Sequence, residues 1–319
     1  MAGRSRTGKV VFFGTPEIAV PPLDALVESG RRPALVVTQT AKPAGRGQGV
    51  QEPPVAARAR ELGIEVAQPA TLKEEAFLAR LEETAPDVAV VVAYGKIFPP
   101  PLLELPRHGC VNLHLSLLPR YRGAAPIQAA LLHGDKKTGV TTMRMEEELD
   151  AGPILLQEEV PIRLHETAGE LAERLAPIGA ALLVETLDQL DRGKLKERRQ
   201  RDESVSYARR IEKSDGRADW ALSAEELYNR VRAFDPWPGV SSHFRNRPVK
   251  IVWGVPMDWE DAPMGGTGTF LGLRQGRIAV LAGDSTVFGI EELQRPGKKV
   301  LRASDFANGE RMRVGERFA

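Results

Sequence analysis

The sequence predicts a two-part α/β protein: a mostly parallel sheet with helices on both faces, followed by a smaller all-β domain of barrel type. Three observations carry this expectation. Apolar strand runs alternate with helix-period segments through the first 190 residues, as a helix-covered parallel sheet requires. The alternation stops at a polar, mostly basic stretch that begins at Asp191. Beyond it lie short β segments separated by Gly-rich turns, which suit a small barrel.

The elements follow in order. Lys9–Phe13 is a short apolar strand that ends at Gly14. The next helix carries Leu23, Leu26 and Val27 on one face and stops at Gly30. Strand 34–38, helix 55–62, strand 64–67, helix 73–83 and strand 88–93 continue the pattern, and strand 109–114 extends it. Helix 127–132 ends at His133-Gly134, and two strand-like runs occupy 139–145 and 154–162. A long helix then places Leu171, Leu175, Ile178 and Leu182 on one stripe, with Pro177 expected to kink or split it. After the connector, Ser223 and Glu226 have the spacing of a capping box for a helix reaching about Arg232. Short strands are expected over 240–245, 249–255, 268–273, 278–281 and 285–293. The domain plan is 1–190, a basic linker 191–206, and 207–319.

Composition narrows the function classes. The chain has 319 residues, 42% hydrophobic and 27% charged, as in ordinary globular proteins. Its longest apolar run, Val88–Tyr94, falls far short of the ~20 residues of a membrane span. A single cysteine, Cys110, excludes an internal disulfide and a Cys-based zinc site, so no metal is expected and a cytoplasmic setting is the default. Cys110 itself reads as a small buried hydrophobe. The net charge of +1 does not announce a nucleic acid, so any RNA contact must come from local patches. Dinucleotide binding fails on detail: one Gly14 stands where G-x-G-x-x-G needs three, and no acid closes the second strand at Thr38-Gln39.

The most informative stretch is C-V-N-L-H-L-S-L-L-P-R-Y-R-G-A-A-P-I, residues 110–127. Asn112 and His114 are two apart on a strand and leave the same face. An amide donor beside an imidazole is an oxyanion holder next to an acid/base group. Each alone is more often a structural residue; together, at the carboxyl end of a parallel strand, they lie where open α/β sheets bind ligands. Asp150, in E-E-E-L-D-A-G-P, is either a third member that stabilises the imidazolium or one acid of a solvated turn, and spacing does not choose. Arg120 and Arg122 are either surface charge or anion contacts. The connector from Asp191 is either a solvated linker or a phosphate-binding strip. The loop T-Q-T-A-K-P-A-G-R-G-Q-G is either a mobile connection or an arm that orders on an anion.

These segments resemble a family. V-V-F-F-G-T-P-E, K-P-A-G-R-G, V-V-A-Y-G-K-I, N-L-H-L-S-L-L-P-R-Y-R-G-A-A-P-I-Q-A-A, T-G-V-T-T-M-R-M-E-E-E-L-D-A-G-P-I-L and R-A-F-D-P-W-P-G are similar, in order and over nearly the whole chain, to the methionyl-tRNA formyltransferases, a branch of the folate-dependent formyltransferases. The resemblance implies a Rossmann-like catalytic domain followed by an OB-type barrel that binds tRNA. It implies 10-formyltetrahydrofolate as donor and the amino group of methionyl initiator tRNA as acceptor. It matches Asn112, His114 and Asp150 to the catalytic set and Ser116, Leu117, Leu118 and Pro119 to the folate-binding stretch. Lys42 and Arg46 match a loop that grips the acceptor stem. Arg209 and Arg210 stand in the linker Tyr207–Ile211 where relatives carry a Pro-Lys pair, and are expected to bind phosphate.

The implied chemistry needs no covalent enzyme intermediate. The rivals are formyl transfer to an amino sugar or other small amine, a folate deformylase, and a non-catalytic RNA-binding protein. Phe13, Tyr94 and the Pro16 turn are candidates for the cleft wall, and a monomer is the simplest assembly.

Overall fold

The computed structural model describes residues 8–44, 49–259, 261–263 and 265–319, with only the backbone of 42–44 and 49–50. Contacts divide the chain into two interleaved units. The first comprises Met1–Pro126, Lys137–Pro161 and Ala172–Arg209, and the second Ile127–Lys136, Ile162–Leu171 and Arg210–Ala319.

The elements up to the second unit's helix are β1 (Val10–Gly14), α1 (Val20–Glu28), β2 (Leu35–Val37), β3 (Lys42–Ala44), β4 (Gly49–Gln51), α2 (Pro54–Glu61), β5 (Val66–Ala67), α3 (Glu75–Thr84), β6 (Val88–Val92), α4 (Pro100–Glu104), β7 (Cys110–His114), β8 (Arg122–Gly123), α5 (Pro126–Leu132), β9 (Lys137–Arg144), β10 (Ile154–Pro161), α6 (Ala168–Asp191), β11 (Tyr207–Ala208) and α7 (Ala224–Ala233). The main sheet has seven strands in the order β10-β9-β7-β6-β1-β2-β5. From β7 to β5 every pairing is parallel, whereas β9 runs antiparallel to both β7 and β10. The expected mostly parallel sheet is therefore present, with a hairpin added at one edge.

The reason these residues make a buried sheet is their lack of polar alternation. All five residues of β1, β6 and β7 are buried, as strands covered on both faces must be. One face packs Phe13, Tyr94, Phe98, Phe77 and Leu81 into a single core cluster, each burial stabilising by roughly 1.5–3 kcal/mol. Phe13 and Tyr94 stack edge to face at 5.4 Å between centroids and are 1% and 2% exposed. They belong to the core, not to a cleft wall. Burial pushes the Tyr94 hydroxyl up to about 12.

Pro177 does not split α6, which is one helix of 24 residues with the proline inside. Of its expected stripe Leu171, Leu175 and Leu182 are buried and Ile178 half-buried, Leu183 and Leu187 are buried as well, and that burial outweighs the one backbone bond a proline removes. The loop around Lys42 contains a short antiparallel pair, β3 with β4. Helix α4 is an element the periodicity did not reveal.

The second unit holds α7 and β12 (Val240–Phe244), β13 (Arg247–Met257), β14 (Phe270–Arg274), β15 (Arg277–Leu281), β16 (Val287–Gln294), β17 (Val300–Arg302) and α8 (Ala303–Glu310). Its six-stranded antiparallel sheet runs β12-β13-β16-β15-β14, with β17 added beside β16. The expected closed barrel is not seen among the described residues, because β12 and β14 do not pair. The chain's last residues reach towards both edges through isolated bridges only, Phe244 with Phe318 and Thr269 with Arg317. Helix α8 was also missed, since Asn308 and Gly309 are poor helix formers and a strand leads directly into it.

Candidate functional site

The parallel order places the site. β1 lies between β6 and β2, so the connection reverses direction beside β6, and ligands of open α/β sheets bind outside the carboxyl ends of strands near such a point. Gly14 faces Val92, Val92 faces Leu113, and His114 ends β7 on that same edge. Alternation along β7 then sorts its side chains. Cys110 packs into the aromatic core, and burial lifts its thiol to about 12. Leu113 points to the other face, where a Cβ on Gly179 of α6 would lie 2.9 Å from it. Asn112 and His114 share the face of Cys110, one and two pleats nearer the open end.

The structure brings Asn112, His114 and Asp150 together. The Asn112 Nδ2 donates to Asp150 Oδ1 at 3.4 Å, and His114 Nδ1 lies 3.7 Å from Asp150 Oδ2. Asn112 and His114 are buried, at 9% and 6% exposure. His114 Nε2 lies 2.9 Å from the Tyr121 carbonyl oxygen. A carbonyl only accepts, so Nε2 carries the proton of that bond, and Nδ1 is the ring nitrogen turned towards Asn112 and Asp150. Asp150 Oδ2 also accepts from the Gly123 N–H at 2.8 Å.

Sequence reasoning missed the residues that hold this triangle. Tyr121 has φ 62° and Asp150 has φ 51°, left-handed conformations uncommon for non-glycine residues and frequent where a site is over-determined by its surroundings. Arg122 is neither surface charge nor a free anion contact. It is 5% exposed, donates to Gln200 Oε1 at 3.0 Å and lies 3.3 Å from Glu148. Gln200 Nε2 donates to the carbonyls of Asp150 and Gly152 at 2.7 and 2.8 Å. No local signal in a polar connector marks Gln200; only its fold partners do.

The connector is also more ordered than a solvated linker. Arg198 and Ile154 exchange backbone bonds, and β11 pairs in parallel with β8. Ser206 Oγ accepts from the Tyr121 N–H at 2.9 Å.

The expected folate stretch forms the other side of the loop. Ser116 is fully buried, and its Oγ donates to the Arg120 carbonyl at 2.6 Å. Leu118 packs with Met143 and Ile154, and a cis bond joins it to Pro119. Gln157 Nε2 donates to the Leu118 carbonyl at 2.9 Å. The side chains of Ser116 and Leu118 therefore shape the loop from within, while Leu117 and Pro119 are half-buried. Arg209 and Arg210 are exposed. Arg46 lies outside the described residues, and Lys42 is described only as backbone in β3. A concavity of about 760 Å³ around Arg217, Asp219, Trp220 and Arg317 lies in the second unit, but it gathers no comparable set of an amide, an imidazole and a carboxylate.

Comparison with known proteins gives the same direction. The formyl transferase family model matches residues 8–187, and the formyl transferase C-terminal domain matches 210–311. A methionyl-tRNA formyltransferase of Thermodesulfovibrio yellowstonii is 41% identical over 310 residues, covering 96% of this chain and 97% of that one. That of Acidobacterium capsulatum is 45% identical over 302 residues, covering 94% and 96%. Among solved structures, a sugar 3N-formyl transferase crystallised with dTDP and 5-N-formyl-THF superposes with a TM-score of 0.64 at 18% identity, over 92% of this chain and all of the other. HypX from Aquifex aeolicus in complex with tetrahydrofolic acid gives 0.62 at 17% identity, over 97% of this chain and 48% of that one, and at such identity the likeness is one of fold. With both family models matched in order and full-length relatives above 40% identity, the chain belongs to the formyl transferase family, in its methionyl-tRNA formyltransferase branch.

Proposed function

We propose that the protein transfers a formyl group from 10-formyltetrahydrofolate to the free amino group of methionyl initiator tRNA, and that Asn112, His114 and Asp150 carry the reaction. The convergence of an amide, a ring nitrogen and a carboxylate within 3.7 Å, at the carboxyl edge of the sheet, supports this reading. The folate donor supplies an activated formyl group. Attack by the methionyl amine puts negative charge on the formyl oxygen, and the Asn112 amide is the donor aimed at it. His114 Nδ1, with Nε2–H held by the Tyr121 carbonyl, accepts the proton the amine must lose. Asp150 then stabilises the charged ring, and the proton passes on to the departing nitrogen. The donor set fits such a substrate: a buried carboxamide and imidazole sit beside a loop whose apolar Leu117 and Pro119 are partly exposed. Leu117 and Pro119 form the wall against which the folate lies, held in shape from within by Ser116 and Leu118.

The acceptor is large, and the rest of the molecule serves it. Residues 1–190 act as the catalytic domain, 191–206 as the linker, and 207–319 as the tRNA-binding domain, its OB-type reading resting on the family resemblance alone. Lys42, Arg46, Arg209 and Arg210 contact phosphates. One chain supplies all three catalytic groups, so a monomer suffices. Both substrates are cytoplasmic, and the protein is placed there on that ground.

The test is formyl transfer from the defined folate to methionyl initiator tRNA, uncharged tRNA and an amino sugar. Transfer to the charged tRNA alone is expected. Asn112→Ala should lower kcat by about 10²–10³. Preferential formylation of the amino sugar would replace this reading with the small-amine one, and a near-parental Asn112→Ala enzyme would remove the oxyanion role.

A further inference from the structure

We infer that Gln200 is a positioning residue for formyl transfer, through which the connector holds Asp150 in its working conformation. The inference rests on the role proposed above for Asp150. Gln200 is half-buried, whereas Lys196–Arg199 and Arg201–Ser204 on either side are exposed. Its amide nitrogen donates to two carbonyls, those of Asp150 and Gly152, at 2.7 and 2.8 Å. Its carbonyl oxygen accepts from the buried Arg122 at 3.0 Å. Both donors and one acceptor direction of a single side chain are thus spent on the two walls of the site.

The two walls need such a tie. Asp150 sits at φ 51°, and Glu146, Glu147 and Glu148, one residue further back beyond Leu149, repel one another and its carboxylate. Both carbonyls held by Gln200 follow the left-handed torsion in the chain, so the amide anchors the backbone on its C-terminal side and restrains the rotation that would swing the carboxylate away from His114. Arg122 lies in the opposite wall, between the Tyr121 carbonyl that holds His114 Nε2 and the Gly123 N–H that holds Asp150 Oδ2. Gln200 is itself fixed on both sides: Arg198 pairs with Ile154, and Ser206 accepts from Tyr121 and donates to the Pro119 carbonyl. Gln200 touches neither the reacting atoms nor the three catalytic side chains; it acts through the backbone of Asp150.

The discriminating variant is Gln200→Glu. It keeps an acceptor for Arg122 but loses both donors and sets a carboxylate against two carbonyl oxygens. If the amide positions Asp150, kcat falls about 10- to 100-fold while KM for the folate and the tRNA stays within about twofold, since misplacement of about 1 Å is enough for such a loss. A purely structural role through Arg122 predicts a near-parental Gln200→Glu enzyme. In an Asp150→Ala background the second change should cost nothing further, because the residue it positions is gone. Gln200→Met, close in volume and without charge, reports the same loss of donors should the glutamate variant not fold, as checked by its thermal transition. A kcat within about twofold of the parent for Gln200→Glu or for folded Gln200→Met, beside a crippled Asp150→Ala, or losses that multiply in the double variant, overturns the inference and leaves the Asp150 role standing. An Asp150→Ala enzyme of parental rate instead removes that role, and this one with it.

Discussion

At Gly123 two demands meet on one residue. Its φ of 120° is closed to most side chains, and a Cβ there would lie 2.5 Å from the Ala208 carbonyl in the paired connector strand. Its N–H at the same time donates to Asp150 Oδ2. Gly123→Ala should therefore push β11 away from β8 and turn the N–H off the carboxylate. A stability loss of about 1–3 kcal/mol in a urea melt, with a larger fall in kcat than in folate affinity, is expected. Parental turnover would mean that this N–H is not needed to hold Asp150. The same scale decides which ring nitrogen of His114 faces Asp150: the Tyr121 carbonyl takes the Nε2 proton and leaves Nδ1 on the Asp150 side. Cys110, two residues from Asn112 on the same face, is buried, and that burial raises its thiol. Burial disfavours its thiolate, which is the reactive form.

Helix α7 shows how far local chemistry reaches at the scale of an element. The spacing of Ser223 and Glu226 predicts a capping box, and both halves form: Glu226 N–H donates to Ser223 Oγ at 3.3 Å and Ser223 N–H to Glu226 Oε2 at 2.8 Å. Replacing Ser223 by Ala should cost about 1 kcal/mol, within a range of 0.5–2, read as a lower denaturation midpoint. The box also carries a pH signature. The Ser223 hydroxyl and N–H hold the Glu226 carboxyl below its ordinary 4.5. A depressed folded value means the contribution is present above 4.5 and fades as pH falls through the lowered value. The stability gap between parent and Ser223→Ala should therefore narrow at acid pH; a gap constant from pH 7 to pH 3 would show that the carboxylate takes no part. Helix α6 marks the limit of such local rules, since a long buried stripe carries it through Pro177.

The molecule as a whole must hold a small donor and a very large acceptor. Its net charge of +1 gives no general attraction to RNA, so under the proposed function affinity must come from local cations, and Arg209 and Arg210 are both exposed. Binding of methionyl initiator tRNA should then weaken steeply with salt. Four neutralised phosphates imply a fall of roughly 10²-fold between 50 and 200 mM, and Arg46→Ala should reduce the slope by about one if Arg46 meets a phosphate. A flat salt profile would count against the phosphate contacts, and an unaltered slope for Arg46→Ala against that residue alone. The two units interleave in sequence, with 127–136 and 162–171 grouping with 210–319.

Much of this was legible in the chain itself because it is written locally. Apolar runs and helix periods fall within a few residues of most observed elements from β1 to β10, β3, β4, β8 and α4 excepted, and the two-residue step from Asn112 to His114 put both on one face. The family motifs named the three catalytic candidates. Spacing left Asp150 undecided between the site and a solvated turn. Its approach to Asn112 spans 38 residues and its bond to Gln200 spans 50. Such meetings depend on how strands pair and loops close, and no local pattern records them. For the same reason the open path of the second sheet, the burial of Arg122 and the ordered connector were decided only by tertiary structure, where each backbone and side-chain donor must find its partner across the fold.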